Sequence, residues 1–193
     1  MTLSGVVLAG GRSSRMGCDK ALLNIGGQSL VGRQVDLLRR SGCSEIFISG
    51  RPHVDYGNLG TTMLYDPCPD LGPMAGIHAA LQAMAGTHML VVPVDLPLLH
   101  PPLLLRLYAS CSENEGAVYS GPDGLEPLVA IYPNVLAGAA AAALASAHLS
   151  VQAFCRSAIA DAVLRPVAIP PDESRAFLNI NRPEDLNSVD GAR

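Results

Sequence analysis

A chain of 193 residues, 49% hydrophobic and 16% charged, is long enough to bury a full core and reads as one globular domain over residues 1–193. Its 13 basic and 17 acidic side chains give a net charge of −4 with no basic patch, which excludes a polyanion such as nucleic acid as partner. The chain opens without a basic-then-apolar leader, its longest apolar run, Ala137 to Ala147, is too short for a bilayer, and its five cysteines form no C-x-x-C pair; a cytoplasmic protein with reduced thiols, no disulfide and no structural zinc is expected.

Leu3 to Leu8 is a short apolar run ending near glycines and predicts a buried strand. After a glycine-rich loop, Ser29 caps a helix whose apolar positions Leu30, Val31, Val35, Leu37 and Leu38 recur on one face until Gly42 stops it. Ile46 to Ser49 and Thr62 to Tyr65 are the next strands. Pro73 suits the first turn of a helix through Ile77, Leu81 and Met84, because its missing N–H has no partner to lose there. Met89 to Pro93 is a strand, Pro101 to Ser110 a helix, and Ala117 to Ser120 with Leu128 to Ile131 a strand pair about a Gly121 to Gly124 turn. An alanine-rich helix over Asn134 to Ser146 and a late strand over Val163 to Ile169 follow. Pro170 to Ser174 is expected to be a mobile loop and Ser188 to Arg193 a frayed tail. This alternation predicts an α/β, Rossmann-like, mostly parallel sheet with helices on both faces and ligands at the carboxyl ends of its strands.

The loop after the first strand carries the most chemistry. Leu8 to Lys20 combines Gly10, Gly11 and Gly17 with Arg12, Arg15 and Lys20. Glycines let backbone N–H groups converge on phosphate oxygens, and the cations supply countercharge. A plain surface turn explains the glycines but not the cations crowded beside them. Spacing excludes two commoner loops. A P-loop needs Gly, four residues, then Gly-Lys-Ser/Thr, whereas five residues separate Gly11 from Gly17 and Cys18 follows. The dinucleotide fingerprint fails because Gly10 and Gly11 are adjacent and no strand-end carboxylate follows some twenty residues later.

Strand, Leu8-Ala9-Gly10-Gly11, Arg15-Met16-Gly17 and Asp19-Lys20 together resemble the nucleotidyltransferases that couple an NTP to a phosphorylated acceptor, most closely the molybdenum cofactor guanylyltransferase (MobA) family. Matching motifs continue through Asp66 with Leu71 to Ile77, Pro93-Val94-Asp95-Leu96-Pro97, Glu126-Pro127-Leu128 and Phe177 to Leu186, so the resemblance covers nearly the whole chain. It implies a single nucleotidyltransferase domain in which Leu8, Ala9, Gly10 and Gly11 line the nucleotide and Arg15 and Lys20 contact its phosphates. Asp95, fixed between Pro93 and Pro97 after an apolar strand, is implied as the Mg²⁺ aspartate; a turn cap is the plainer use of such a residue. Asp66, Gly72 and Gly76 are implied in the nucleotide site, and Asn179 and Asn181, alternating in an extended segment, near acceptor and metal. The chain departs from the family at Arg182, where Thr commonly precedes Pro183, and at Ser49, where the family carries a polar Asn at the nucleotide.

The implied reaction is attack by the terminal phosphate of molybdopterin, or of its molybdenum-bearing form, on the α-phosphorus of GTP. Pyrophosphate leaves and a guanine dinucleotide forms, for hand-over to a molybdoenzyme or its chaperone. The residues do not distinguish guanine from cytosine, so a relative using CTP or another phosphorylated acceptor is the alternative. A nucleotide-binding carrier without turnover is the reading from another class; Arg15, Lys20 and Asp95 together argue against it. The five histidines lack metal-ligand spacing, and Glu126 has no catalytic partner in sequence.

Overall fold

The computed structural model describes residues 1–10, 19–65 and 71–180. The strands among the described residues are β1 (Leu3–Leu8), β2 (Asn24–Ile25), β3 (Gln28–Ser29), β4 (Glu45–Gly50), β5 (Thr62–Tyr65), β6 (His88–Pro93), β7 (Gly116–Gly121), β8 (Gly124–Pro133) and β9 (Leu164–Ala168). The α-helices are α1 (Leu30–Arg40), α2 (Pro73–Ala83), α3 (Pro101–Ala109), α4 (Ala137–Ala145) and α5 (Val151–Ala160). Seven strands form one sheet in the order β5-β4-β1-β6-β8-β7-β9, and β2 and β3 form a small hairpin before α1.

β1 is buried throughout because it is the centre of the parallel portion, with β4 and β6 on either side and helices above and below; its one polar side chain, Ser4, donates to Glu45. Val6 points to one face and Val7 to the other, and neither is exposed at all. On one face α1 and α3 bury Leu30, Val35, Leu38, Leu103 and Leu107 against Val7 and Leu90. On the other, α2, α4 and α5 bury Met74, Ile77, Ala140 and Phe154 against Val6 and Val91. Full burial of such side chains is worth about 1.5–3 kcal/mol each, so the two faces together hold the sheet between its helices. β8 runs antiparallel to both β6 and β7, while β9 is parallel to β7, so the sheet is mixed at its far side and parallel where the glycine loop leaves it.

The expected elements are present, and the 3₁₀ turn Lys20–Leu22 and the β2–β3 hairpin are additional to them. An additional helix, α5, follows Ser150, whose hydroxyl accepts the Ala153 amide; its buried Val151, Phe154, Cys155 and Ala158 share one face. The segment expected as a mobile loop after Pro170 is instead a 3₁₀ helix, Pro171–Phe177, with Ala176 buried beneath it and Phe177 edge-on to Tyr119 at 5.5 Å. The alanine-rich helix begins as a 3₁₀ turn, Asn134–Leu136, before α4. The tail from Ser188 lies outside the described residues.

β1 connects through α1 on one face to β4, and β5 returns through α2 on the other face to β6. The chain therefore diverges from β1 in both directions, and the crevice at the carboxyl ends of β1 and β6 is the switch point where an open α/β sheet takes its ligand. Register places Leu8 opposite Ser49 on one side and Pro93 on the other, so the three strands end in line.

Candidate active site

The site grows from that row of strand ends. Ala9 and Gly10 continue β1 by donating their amides to the Ser49 carbonyl at 2.8 and 3.1 Å, which fixes where the glycine loop begins. Asp19 follows the loop in sequence. Its carboxylate accepts the Ala21 amide at 3.0 Å and so caps a 3₁₀ turn, Lys20–Leu22. That turn directs Lys20 back across the sheet edge, where its Nζ lies 3.3 Å from Asp95 Oδ2.

Asp95 is held by its own backbone neighbours. Val94 N–H donates to the Leu8 carbonyl at 3.1 Å, Ile180 N–H donates to the Asp95 carbonyl at 2.9 Å, and the buried Gln34 amide donates to the Leu96 carbonyl at 2.8 Å. A strand end, a helix side chain and the C-terminal segment thus fix three successive residues, and the Asp95 carboxylate projects from a rigid turn. Its side chain is 30% exposed against 15% for Lys20, so the pair opens to solvent on the carboxylate side.

The start of α2 forms the opposite wall. Gly72 takes φ +68° at the N-cap, a conformation that L side chains rarely adopt, and lets Pro73 begin the helix. Gly76 is buried one turn on; a Cβ there would fall 2.6 Å from Ser49 Oγ and 2.8 Å from a Leu8 methyl. The helix can approach the strand ends only because that side chain is missing.

The C-terminal segment is drawn to the same edge by contacts whose partners on the body of the domain lie outside the motifs. His100 Nε2 lies 2.7 Å from Glu173 Oε2, joining the turn before α3 to the 3₁₀ helix, and Tyr119 adds its ring contact to Phe177 while donating its hydroxyl to the Leu103 carbonyl at 2.8 Å. These bonds deliver the exposed Asn179 beside Ile180, whose amide is on Asp95.

Leu8, Ala9, Gly10, Lys20, Gly72, Gly76, Asp95 and Asn179 therefore occupy one edge of the sheet, whereas Gly11, Arg15, Asp66 and Asn181 lie outside the described residues. Glu126, on β8 opposite Tyr119, has its carboxyl raised above the ordinary range by burial and by Asp123. Sequence reasoning passes over Gln34, Glu173 and Arg51. Gln34 carried a signal, being a polar residue one turn from both Leu30 and Leu38 on the core-facing side of α1. Glu173 and Arg51 gave none, since both are ordinary surface types whose partners are distant in sequence.

No group of three His, Cys, Asp or Glu able to hold a metal occurs among the described residues. None of the helices they form is long and apolar enough to cross a membrane. Residues 5–162 match the family model described as the MobA-like NTP transferase domain. The chain is similar to a "Probable molybdenum cofactor guanylyltransferase" of Opitutus terrae, 37% identical over 186 residues that cover 95% of this chain and 92% of that one. It is also similar to the molybdenum cofactor guanylyltransferase of Rhizobium meliloti, 36% identical over 197 residues, 96% of this chain and 89% of the other. Among solved structures, the molybdopterin-guanine dinucleotide biosynthesis protein A of Archaeoglobus fulgidus shares the fold, with a TM-score of 0.73 at 23% identity over 99% of this chain and 97% of that one.

Proposed function

The chain belongs to the MobA-like NTP transferase family, and from that premise we propose that it transfers GMP from GTP to the terminal phosphate of molybdopterin, or of its molybdenum-bearing form, releasing pyrophosphate and leaving a guanine dinucleotide. The reading is supported above all by the Lys20–Asp95 pair, a cation and a carboxylate brought together at the switch point between the ends of β1 and β6. The names of the relatives support the choice of base and acceptor.

The acceptor phosphate is already anionic, so no side chain has to remove a proton before attack. A bond forms between its oxygen and the α-phosphorus while the bond from that phosphorus to the α,β-bridging oxygen breaks and carries its electrons away on pyrophosphate. The chain's task is to hold both partners in line and to balance charge. Lys20, with Arg15 and the Gly10 and Gly11 region, is assigned to the β- and γ-phosphates; Asp66, Gly72 and Gly76 to the nucleoside; Asn179 and Asn181 to the acceptor.

Asp95 suits Mg²⁺. It is a hard oxygen donor on a rigid turn with its carboxylate partly open to solvent, and Mg²⁺ at nucleotide sites takes only one or two carboxylates, the rest of its shell being phosphate and water oxygens. When bound there, the ion would neutralise charge on the phosphates.

The test is incubation with Mg²⁺, molybdopterin and each NTP in turn, measuring pyrophosphate and the mass of the product. The reading expects pyrophosphate with GTP and a product heavier by GMP. Preference for CTP would overturn the guanylyl assignment, and absence of turnover with every NTP despite tight GTP binding would overturn the enzymatic one.

A further inference from the structure

We propose that Arg51 and Asp19 form a positioning clamp that fastens the far end of the glycine loop to the end of β4 and reserves Lys20 for Asp95 and the nucleotide phosphates. The role given to Lys20 rests on the proposed nucleotidyl transfer; the clamp itself does not.

Asp19 is a buried carboxylate, its side chain only 6% exposed. One oxygen caps the 3₁₀ turn through the Ala21 amide. The other, Oδ2, is buried without a hydrogen-bond partner and faces the Arg51 guanidinium, with Nη1 at 3.9 Å. Arg51 is well placed to serve it. Its amide donates to Tyr56 Oη at 3.0 Å, and Tyr56 is buried against Gly50 so closely that a Cβ on that glycine would lie 2.6 Å from the ring.

One strand end therefore holds both ends of the loop: the Ser49 carbonyl takes the Ala9 and Gly10 amides, and Arg51 faces Asp19. Across the neighbouring strands β4, β1 and β6 the charges alternate, from Arg51 through Asp19 and Lys20 to Asp95. A carboxylate removed from water to this degree has to be balanced by a nearby cation. Without Arg51, the ammonium of Lys20, next in the chain, is the nearest cation among the described residues, and Asp19 would compete with Asp95 and with phosphate for it. Arg51 thus acts on nucleotide binding through the charge of Asp19.

The experiment compares the full-length protein with Arg51→Met, which keeps the stem and removes the charge, Asp19→Asn, which keeps an acceptor for the Ala21 amide, and the double variant. Nucleotide KM, acceptor KM, kcat and thermal midpoint are measured for each. Arg51→Met should raise nucleotide KM about tenfold while leaving acceptor KM near that of the parent, the size expected for coupled neighbouring charges. Adding Asp19→Asn to Arg51→Met should return most of both the KM and the thermal midpoint, because the uncompensated carboxylate is gone. Losses that add in the double variant, recovery of stability without recovery of KM, or an Arg51→Met protein indistinguishable from its parent would each overturn the clamp. The thermal comparison needs no turnover, so an inactive parent would overturn the nucleotidyl reading while the unfolding data still decide the pairing of Arg51 with Asp19.

Discussion

Lys20 Nζ lies 3.3 Å from Asp95 Oδ2, although the two residues are 75 apart in the chain. Each follows the end of a strand, and those strands, β1 and β6, are neighbours in register from Leu3 opposite His88 to Leu8 opposite Pro93. The contact is therefore a product of the parallel sheet rather than of local sequence. In a half-buried pair of this kind the attraction is largely offset by the cost of taking both charges out of water, so it adds little to stability. Its consequence is poise: the ammonium is held at the switch point by a carboxylate it can exchange for phosphate oxygens.

Lys20→Ala should lower kcat/KM for GTP by about 10²-fold, as removal of one preorganised cation costs around 3 kcal/mol in the transition state. Asp95→Asn should abolish most turnover with an unchanged thermal midpoint. Steady-state kinetics with a thermal melt on each variant decide both. Unchanged kcat/KM moves Lys20 out of the site, and full Mg²⁺-dependent activity in Asp95→Asn removes the metal role.

Gln34 is buried to 1% exposure and its amide holds the Leu96 carbonyl at 2.8 Å, one residue beyond Asp95. Gln34→Leu keeps the volume but leaves the Leu96 carbonyl with only the longer bond from Leu99 N–H, at 3.3 Å. A loss of about 0.5–1.5 kcal/mol in denaturant unfolding is expected, the net worth of one hydrogen bond, since the carbonyl keeps its bond from Leu99. Because the released turn carries Asp95, kcat should fall with it. Equal stability and kcat would show that the turn does not need Gln34.

Two glycines of helical segments make opposite predictions. Gly76→Ala places a Cβ 2.6 Å from Ser49 Oγ, and a gap that small forces α2 away from the strand ends, at about 1–3 kcal/mol. Gly138 in α4 has nothing within 4 Å of the same position, so Gly138→Ala should stabilise by about 0.5–1 kcal/mol through helix propensity alone. Denaturant midpoints test both, and nucleotide KM should rise only for Gly76→Ala.

Most of this architecture was legible where one physical cause dominates. Leu3 to Leu8, apolar but for Ser4, and Met89 to Pro93 are buried because both faces of their strands are covered, and a run of that length admits little else. The loop and Asp95 could be placed at the same edge because strand ends collect ligands in such sheets. α5 is hard to read although Val151, Phe154, Cys155 and Ala158 follow helical spacing, because its polar Gln152, Arg156 and Ser157 dilute the stripe. The 3₁₀ helix at Pro171 was hidden by two prolines and two acids that normally mark a loop, and what orders it is tertiary, the contacts of Glu173 with His100 and of Phe177 with Tyr119. The β7–β8 pair follows from its Gly121 to Gly124 turn, but the antiparallel pairing of β8 with β6 and the register shift between Val118 and Tyr119 depend on contacts that no local pattern encodes.

Acid stability should be lost in two stages set by residues at the far end of the sheet. His88 is wholly buried, and burial, partly offset by the carbonyls of Ser112 and Glu115, holds its imidazole below the ordinary value of 6.5. The unfolded chain then binds the extra proton more readily, so His88 contributes stability above about pH 6.5 that is lost as pH falls toward its folded value. Glu45 is pushed up by burial, but its carboxylate accepts from the Ser4 hydroxyl at 2.5 Å and from the Ala85 and Gly86 amides, and these bonds carry it below 4.5. A depressed carboxyl has the same sign: its contribution is present above about pH 4.5 and lost as pH falls through the folded value. Unfolding free energy measured from pH 8 to 3 should therefore decline first below 6.5 and again below 4.5. His88→Gln should flatten the first decline and Glu45→Gln the second, each leaving the other in place. A stability profile that is level between pH 6.5 and 5 in the parent protein would refute the His88 assignment, and a second decline that survives Glu45→Gln would move the carboxylate step elsewhere.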